Sequence, residues 1–228
     1  MHSNDVTIDE EADYCEVPLG EIRDEGPLVA AAGYLTAGCA SQDAGRCGPQ
    51  VVLPILYCLR FSLELSIHGC IQALEEARSC AHLTERKTHD LRQLFEEWTK
   101  QMGDSSRRHG WYGKKLPELE PVWAKIEPLH LLDPDGTCLR YPKNFPTSPD
   151  VCTLLDEVTT AVQFLVDYTA PLVPTSRVDC RKRLAFLHAV SQTPCECFGR
   201  IEDFDDSQWL CEFDPTADWP PEWSLTLV

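Results

Sequence analysis

Residues 53–77 read LPILYCLRFSLELSIHGCIQALEEA, and they predict the central helix of the protein. The segment is long and mostly apolar, and a proline at its second position is tolerated in a first helical turn. Arg60, Glu64 and His68 recur every four residues along it, so they form one polar stripe on an apolar helix. The same three groups argue against a membrane span, because each is costly inside a bilayer.

The polar stripe has two interpretations. Ionisable groups on a buried helix must find partners, because an unpaired buried charge is prohibitively costly. In the first, Arg60 and Glu64 form an ion pair that fixes the helix, and His68 is neutral and hydrogen-bonded. In the second, the stripe and His89 line a polar pocket in which an arginine holds phosphate and a histidine moves a proton.

Helical periodicity on both sides of residues 53–77 predicts an all-α bundle of four or five core helices. Upstream, PLVAAAGYLTAGCA begins at Pro27. Downstream, THDL predicts a helix start with Thr88 as N-cap, and the apolar positions that follow have helical spacing. Two further helices are predicted over about 118–131 and over 176–192. Between them, a helix is predicted to start at Ser148-Pro149-Asp150, with Ser148 as N-cap, Pro149 as first residue and Asp150 in an acidic first turn.

A short β element interrupts this helical pattern. Asp135-Gly136 is a turn signal, and residues 137–141 have the composition of a short strand, so a small β-hairpin is predicted near 135–141.

Charge divides the chain into three parts. The 228 residues contain 20 Lys and Arg against 37 Asp and Glu, a net charge of −17. Much of this charge lies in an acidic segment at 1–26 and in a Cys- and Trp-containing extension at 193–228, which flank a helical domain at 27–192. We expect the extension to wrap irregularly on the helical body. The total disfavours general coating of DNA or RNA, and the acidic ends suit docking of a protein partner.

The N-terminus lacks the cationic and apolar regions of a secretory signal, so a cytoplasmic location without membrane association is expected, with thiols mostly reduced. Cys195, Cys197 and Cys211 with His188 offer four zinc-ligand types, but not the paired spacing of a zinc site. We expect reduced thiols or a local disulfide there, and no metal. The chain also lacks a nucleophile elbow, a Walker A loop and a dinucleotide fingerprint, so no cofactor is predicted.

One basic cluster with aromatic residues occurs, GDSSRRHGWYGKK at 103–115. Arg107 and Arg108 lie close in sequence to Trp111, a combination that can stack on and hold a nucleotide or a single strand. A solvated loop is the alternative.

Three segments, in this order and spacing, resemble the bacterial HEPN-like proteins, helical-bundle proteins linked to defence and toxin–antitoxin systems. They are LPILYCLRFSLELSIHGCI, THDLRQLF and LDPDGTCLRYPKN, and the resemblance covers about residues 27–170. Arg60 and Glu64 match the first motif, while His68 stands where a lysine is usual. The other matches are His89-Asp90-Leu91, Asp135-Gly136 and Arg140-Tyr141-Pro142.

The resemblance implies a function. Catalytic members of the wider class have an arginine, four to six residues and then a histidine, used for metal-independent RNA cleavage. The pairs Arg183–His188 and Arg181–His188 fit this spacing, whereas Arg60–His68 falls outside it. The alternative is a basic helix face whose histidine is favoured by the helix dipole.

These expectations define two functional hypotheses. The first is an effector that cleaves or modifies RNA as a homodimer with facing pockets; Arg60 and Arg183 would bind phosphate, and His89 or His188 would act as acid or base. The second is a non-catalytic module that senses a ligand or docks a partner. The candidate catalytic residues are Arg60, Glu64, His68, His89, Arg183 and His188, and the candidate binding residues are Arg107, Arg108, Trp111, Arg140 and Tyr141.

Overall fold

The protein is described here from a computed structural model, which covers residues 26–43, 49–78, 88–108, 119–139 and 150–192. This part of the chain is helical and contains no β-strand, which confirms the all-α class. The helices are α1 (Pro27–Asp43), α2 (Pro49–Ala77), α3 (Leu91–Arg108), α4 (Glu120–Leu132), α5 (Val151–Thr169) and α6 (Val178–Gln192), with a 3-10 turn at Ala170–Leu172.

Helix α2 is the centre of the bundle, as its sequence predicts. It packs against α1, α3 and α5, and its apolar stripe is fully buried from Ile55 to Leu74. The helix begins at Pro49, earlier than the predicted start at Leu53, and carries Pro54 near its first turn. Around α2, the buried indole Nε1 of Trp98 donates to Thr169 Oγ1 at 3.0 Å and joins α3 to α5.

Helices α1 and α2 approach closely at Gly69. The buried face of α1 includes Leu28, Ala31, Ala32, Leu35 and Cys39. A Cβ atom built on Gly69 would lie 2.5 Å from Leu28 Cδ2 and 3.2 Å from the Leu28 backbone nitrogen. Only a residue without a side chain fits here, because the obstacle includes the backbone of the neighbouring helix.

Gly69→Ala therefore destabilises the protein, by about 1–3 kcal/mol for an overpacked core position. Gly33→Ala is the matched control, because a Cβ at Gly33 meets no atom within 4 Å; there the higher helix propensity of alanine stabilises by up to about 1 kcal/mol. Urea denaturation of both variants measures the two changes. Equal stability of the variants would contradict the close packing.

Two helix starts differ from the sequence prediction. Asp90, not Thr88, caps α3: its Oδ1 accepts from the backbone N–H of Arg92 at 2.8 Å and of Gln93 at 3.2 Å. Asp150, expected in a first turn, is itself the N-cap of α5 and accepts from Cys152 and Thr153. A carboxylate is favoured at both places because the first N–H groups and the helix dipole both attract negative charge.

The Asp150 cap makes α5 sensitive to acid. The pKa of Asp150 lies below its usual 3.8, chiefly because the hydroxyl and the backbone N–H of Thr153 donate to the carboxylate. A depressed folded-state pKa adds stability above the unfolded-state value, and this stability is lost as the pH falls through the folded-state value. Asp150→Asn keeps a capping oxygen but cannot titrate, so the variant should be less stable than wild type near neutral pH. Denaturation curves between pH 7 and pH 2 should show this gap closing in acid; a constant gap would contradict the role of the charge.

The predicted β-hairpin is not observed in the part of it that is described. Residues 134–139 form turns, and Gly136 adopts φ of 74°, which the Asp135-Gly136 turn signal anticipates. Tyr141 lies outside the described residues, as do the acidic segment and the C-terminal extension apart from Gly26.

A search of the described helices for one with the length and apolarity to cross a membrane found none.

Candidate functional site

Arg60 is the centre of the predicted polar stripe, and it is 1% exposed. Its Nη1 donates to Glu64 Oε2 at 2.9 Å, one helical turn away. Its Nη2 donates to the backbone oxygen of His89, and its Nε donates to that of Asp133 at 3.4 Å. The guanidinium therefore joins α2 to the start of α3 and to the loop after α4.

Glu64 connects this buried group to the surface. Its side chain is 5% exposed, and its second oxygen, Oε1, lies 2.8 Å from Nδ1 of His89. The His89 side chain is 51% exposed. Of the four residues predicted to share this site, Arg60, Glu64 and His89 thus come together. His68 is half-buried one turn further along α2.

The loop after α4 completes the arrangement. The buried Asp133 carboxylate accepts from the backbone N–H of Cys138 at 2.8 Å, which holds the loop in a compact turn. A Cβ on Gly136 would lie 3.1 Å from His89 Cβ and 3.8 Å from Arg60 Nη2, so the loop backbone presses directly on the site. The positive φ and this close approach both require glycine at 136.

The carboxylates around Arg60 offset the effect of burial on its charge. Burial lowers the pKa of the Arg60 guanidinium, and the carboxylates of Glu64 and Asp133 act in the opposite direction. The pKa of the exposed Asp135 is lowered, mainly by the hydroxyl and N–H donors of Thr137. The site is therefore a buried cation surrounded by acids, and Asp90 also contributes to its field.

The second predicted motif lies on α6, where its residues have separate partners. Arg181 is 5% exposed and donates to the backbone oxygen of Val173 at 3.0 Å. Arg183 Nη2 lies 3.3 Å from Glu76 Oε2, and His188 Nε2 lies 3.1 Å from Asp167 Oδ1. Asp167 is not among the residues predicted from the sequence, although a carboxylate among the buried leucines and valines of α5 is a signal that the sequence contains.

The candidate binding residues do not converge with Arg60. Arg107 and Arg108 are exposed in the last turn of α3, and Arg107 pairs with Asp104 at 2.5 Å. His89 precedes the first turn of the same helix, about 25 Å away at a rise of 1.5 Å per residue. Trp111, Arg140 and Tyr141 lie outside the described residues.

Three residues of metal-ligating types lie close together in the loop after α4. One ligand atom each from Asp133, Asp135 and Cys138 lies within 4.8 Å of the others. The sequence analysis did not select this group, because its spacing matches no metal motif. Cys195, Cys197 and Cys211, considered as zinc ligands with His188, lie outside the described residues.

No disulfide joins the described cysteines, which are Cys39, Cys58, Cys70, Cys138, Cys152 and Cys180. Burial raises the pKa of the Cys70 thiol to about 12 and that of Cys180 to about 11. Neither is therefore a thiolate at neutral pH, which makes both of them packing residues and not nucleophiles.

Comparison of the chain with protein-family models, curated proteins and solved structures finds no match.

Glu64→Gln tests the buried ion pair. The change keeps the shape but leaves the Arg60 charge buried without its carboxylate, and breaking such a pair costs about 3–5 kcal/mol. Glu96→Gln is the control, because Glu96 is 61% exposed and forms the same i,i+4 pair with Arg92 at 2.8 Å; surface pairs contribute about 0–1 kcal/mol. Chemical denaturation compares the two, and a similar small loss in both would show that Arg60 does not depend on Glu64.

Proposed function

We propose that this chain is a non-catalytic helical module of the HEPN-like kind that docks a protein partner in a bacterial defence or toxin–antitoxin system in the cytoplasm. One observation carries the proposal. Each arginine of the two motifs, Arg60, Arg181 and Arg183, already donates to a carboxylate or carbonyl of the same chain.

A phosphate-binding arginine needs a guanidinium that a ligand can reach. Arg60 is 1% exposed, and turning it outward would leave Glu64 buried without its cation. Loss of one partner from a buried pair costs about 3–5 kcal/mol, which would oppose phosphate binding. The motif residues are thus better suited to hold α2, α3 and the loop after α4 together than to contact RNA.

The surface charge favours a cationic partner over nucleic acid. The carboxylates of Asp90 and Asp135 both interact electrostatically with Arg60, and acids at this site repel a phosphodiester. Along the chain, residues 1–26 and 193–228 each contain nine acids against one arginine, whereas residues 27–192 contain 19 acids against 18 bases. The proposed docking elements are therefore the two acidic ends.

A ribonuclease is the second candidate, and the geometry of His89 favours it. The Glu64 carboxylate holds Nδ1 of a half-exposed imidazole at 2.8 Å, which fixes the tautomer and leaves Nε2 to take or give a proton. A phosphate-binding cation would then come from a second subunit of the homodimer.

Incubation of the purified protein with RNA distinguishes a docking module from a ribonuclease. A docking module leaves RNA intact, and His89→Ala changes nothing. A ribonuclease cleaves RNA, and His89→Ala lowers the rate by about 10²–10⁴, the usual contribution of a general acid or base. His130→Gln is the control: His130 Nδ1 lies 3.9 Å from Asp90 Oδ1, next to His89 in sequence, whereas the Glu64 oxygens pair with Arg60 and His89. Cleavage by wild type would overturn the first proposal.

Docking is tested by co-expression with the products of neighbouring genes, followed by affinity measurements on any complex that forms. We expect the affinity to fall as salt rises, because charge contacts at a surface are screened. Neutralising Asp203, Asp205 and Asp206 to asparagine should weaken binding about fivefold or more at low salt. The control neutralises three exposed acids of the helical body, Glu120, Glu127 and Asp156, and should change binding less than about twofold. Equal effects would show that the C-terminal acids are not the docking element.

A further inference from the structure

Helix α1 is apolar on its outer face as well as on its buried face. No charged residue occurs between Pro27 and Gln42. Gly33, Ala37 and Ala40 are exposed, and a Cβ at Gly33 would meet no atom within 4 Å. A surface helix ordinarily presents charged or polar residues to water, and a helix that is apolar all round is ordinarily covered.

Half-buried aromatic rings extend this surface onto α2. The ring of Phe61 lies 5.4 Å from that of Tyr34 on α1 and 4.6 Å from that of Tyr57. Leu65, one turn after Phe61, is also half-buried. We call the surface formed by these groups the α1–α2 face; its residues are Ala30, Gly33, Tyr34, Ala37, Ala40, Tyr57, Phe61 and Leu65.

We propose that residues 193–228, the C-terminal extension, bind the α1–α2 face. The extension continues directly from α6, which itself packs against α1. Its 36 residues span up to about 120 Å when extended, against about 25 Å for α1, so reach is not limiting.

The composition of the extension selects it over the other end of the chain. It contains the aromatic residues Phe198, Phe204, Trp209, Phe213, Trp219 and Trp223, whereas residues 1–25 contain no Trp or Phe. Large rings supply most of the apolar area in such contacts, and small residues on α1 let them approach the helix closely. Because the α1–α2 face has no charge, the nine acids of the extension remain in solvent. This contact does not depend on the proposed docking function.

Trypsin reports the contact, because Arg200 is the one Lys or Arg within residues 193–228. In the full-length protein, Ala37→Glu places a charge on the exposed α1–α2 face without lowering helix propensity greatly. We expect cleavage after Arg200 to be about tenfold faster in this variant, because the cleavage rate is proportional to the fraction of molecules in which the extension is released. Leu131→Glu is the matched control, because Leu131 is 71% exposed on α4; it should cleave at the wild-type rate.

Ala40→Glu provides a second variant on the same face, and far-UV circular dichroism checks that both variants remain helical. Unchanged cleavage after Arg200 in both folded variants overturns the proposal. So does faster cleavage after Arg23 alone, which would assign the face to the N-terminal segment. Sedimentation that changes from dimer to monomer with unchanged cleavage after Arg200 would also overturn it, in favour of a second copy of the chain.

Discussion

The buried guanidinium of Arg60 is the constraint on which the organisation of the described chain depends. It carries a full charge into the centre of the bundle, where each of its donors needs an acceptor. Those acceptors come from three places: Glu64 on α2, the backbone of His89 before α3, and the backbone of Asp133 after α4. One side chain thereby fixes where α3 begins and α4 ends relative to the central helix.

The sequence predicts which side chains of this site come together. Arg60, Glu64 and His89 were selected because ionisable groups on an apolar helix must find partners, and these partners do meet. The partner that a charge takes depends on chain segments far away in sequence. The sequence pattern therefore does not predict that the carbonyls of His89 and Asp133 accept from Arg60. Backbone oxygens are the same for every residue type and leave no signal in a sequence.

Helix boundaries show the same division between local and distant information. The apolar spacing of α3 and α5 identified both helices, because a buried stripe is a property of neighbouring residues. The prediction of Thr88 as the cap of α3 is wrong, because the cap is Asp90. Both residue types accept the same hydrogen bond, and only the path by which the chain enters the helix decides between them. Composition predicts a strand over 137–141, whereas in the described part of it the Asp133 carboxylate accepts from the N–H of Cys138 and residues 138–139 form a turn.

The distribution of charge differs between the bundle and the ends of the chain. Within residues 27–192 the 19 acids and 18 bases nearly balance. Two of these arginines pair with carboxylates inside the bundle, Arg60 with Glu64 and Arg183 with Glu76. The two ends hold 18 acids against two arginines and so carry nearly all of the net negative charge. Clustered charge of one sign attracts partners of the opposite sign. The arginine and histidine motifs of the body therefore say more about how the fold is held, and the docking proposed above depends on the acids at the ends.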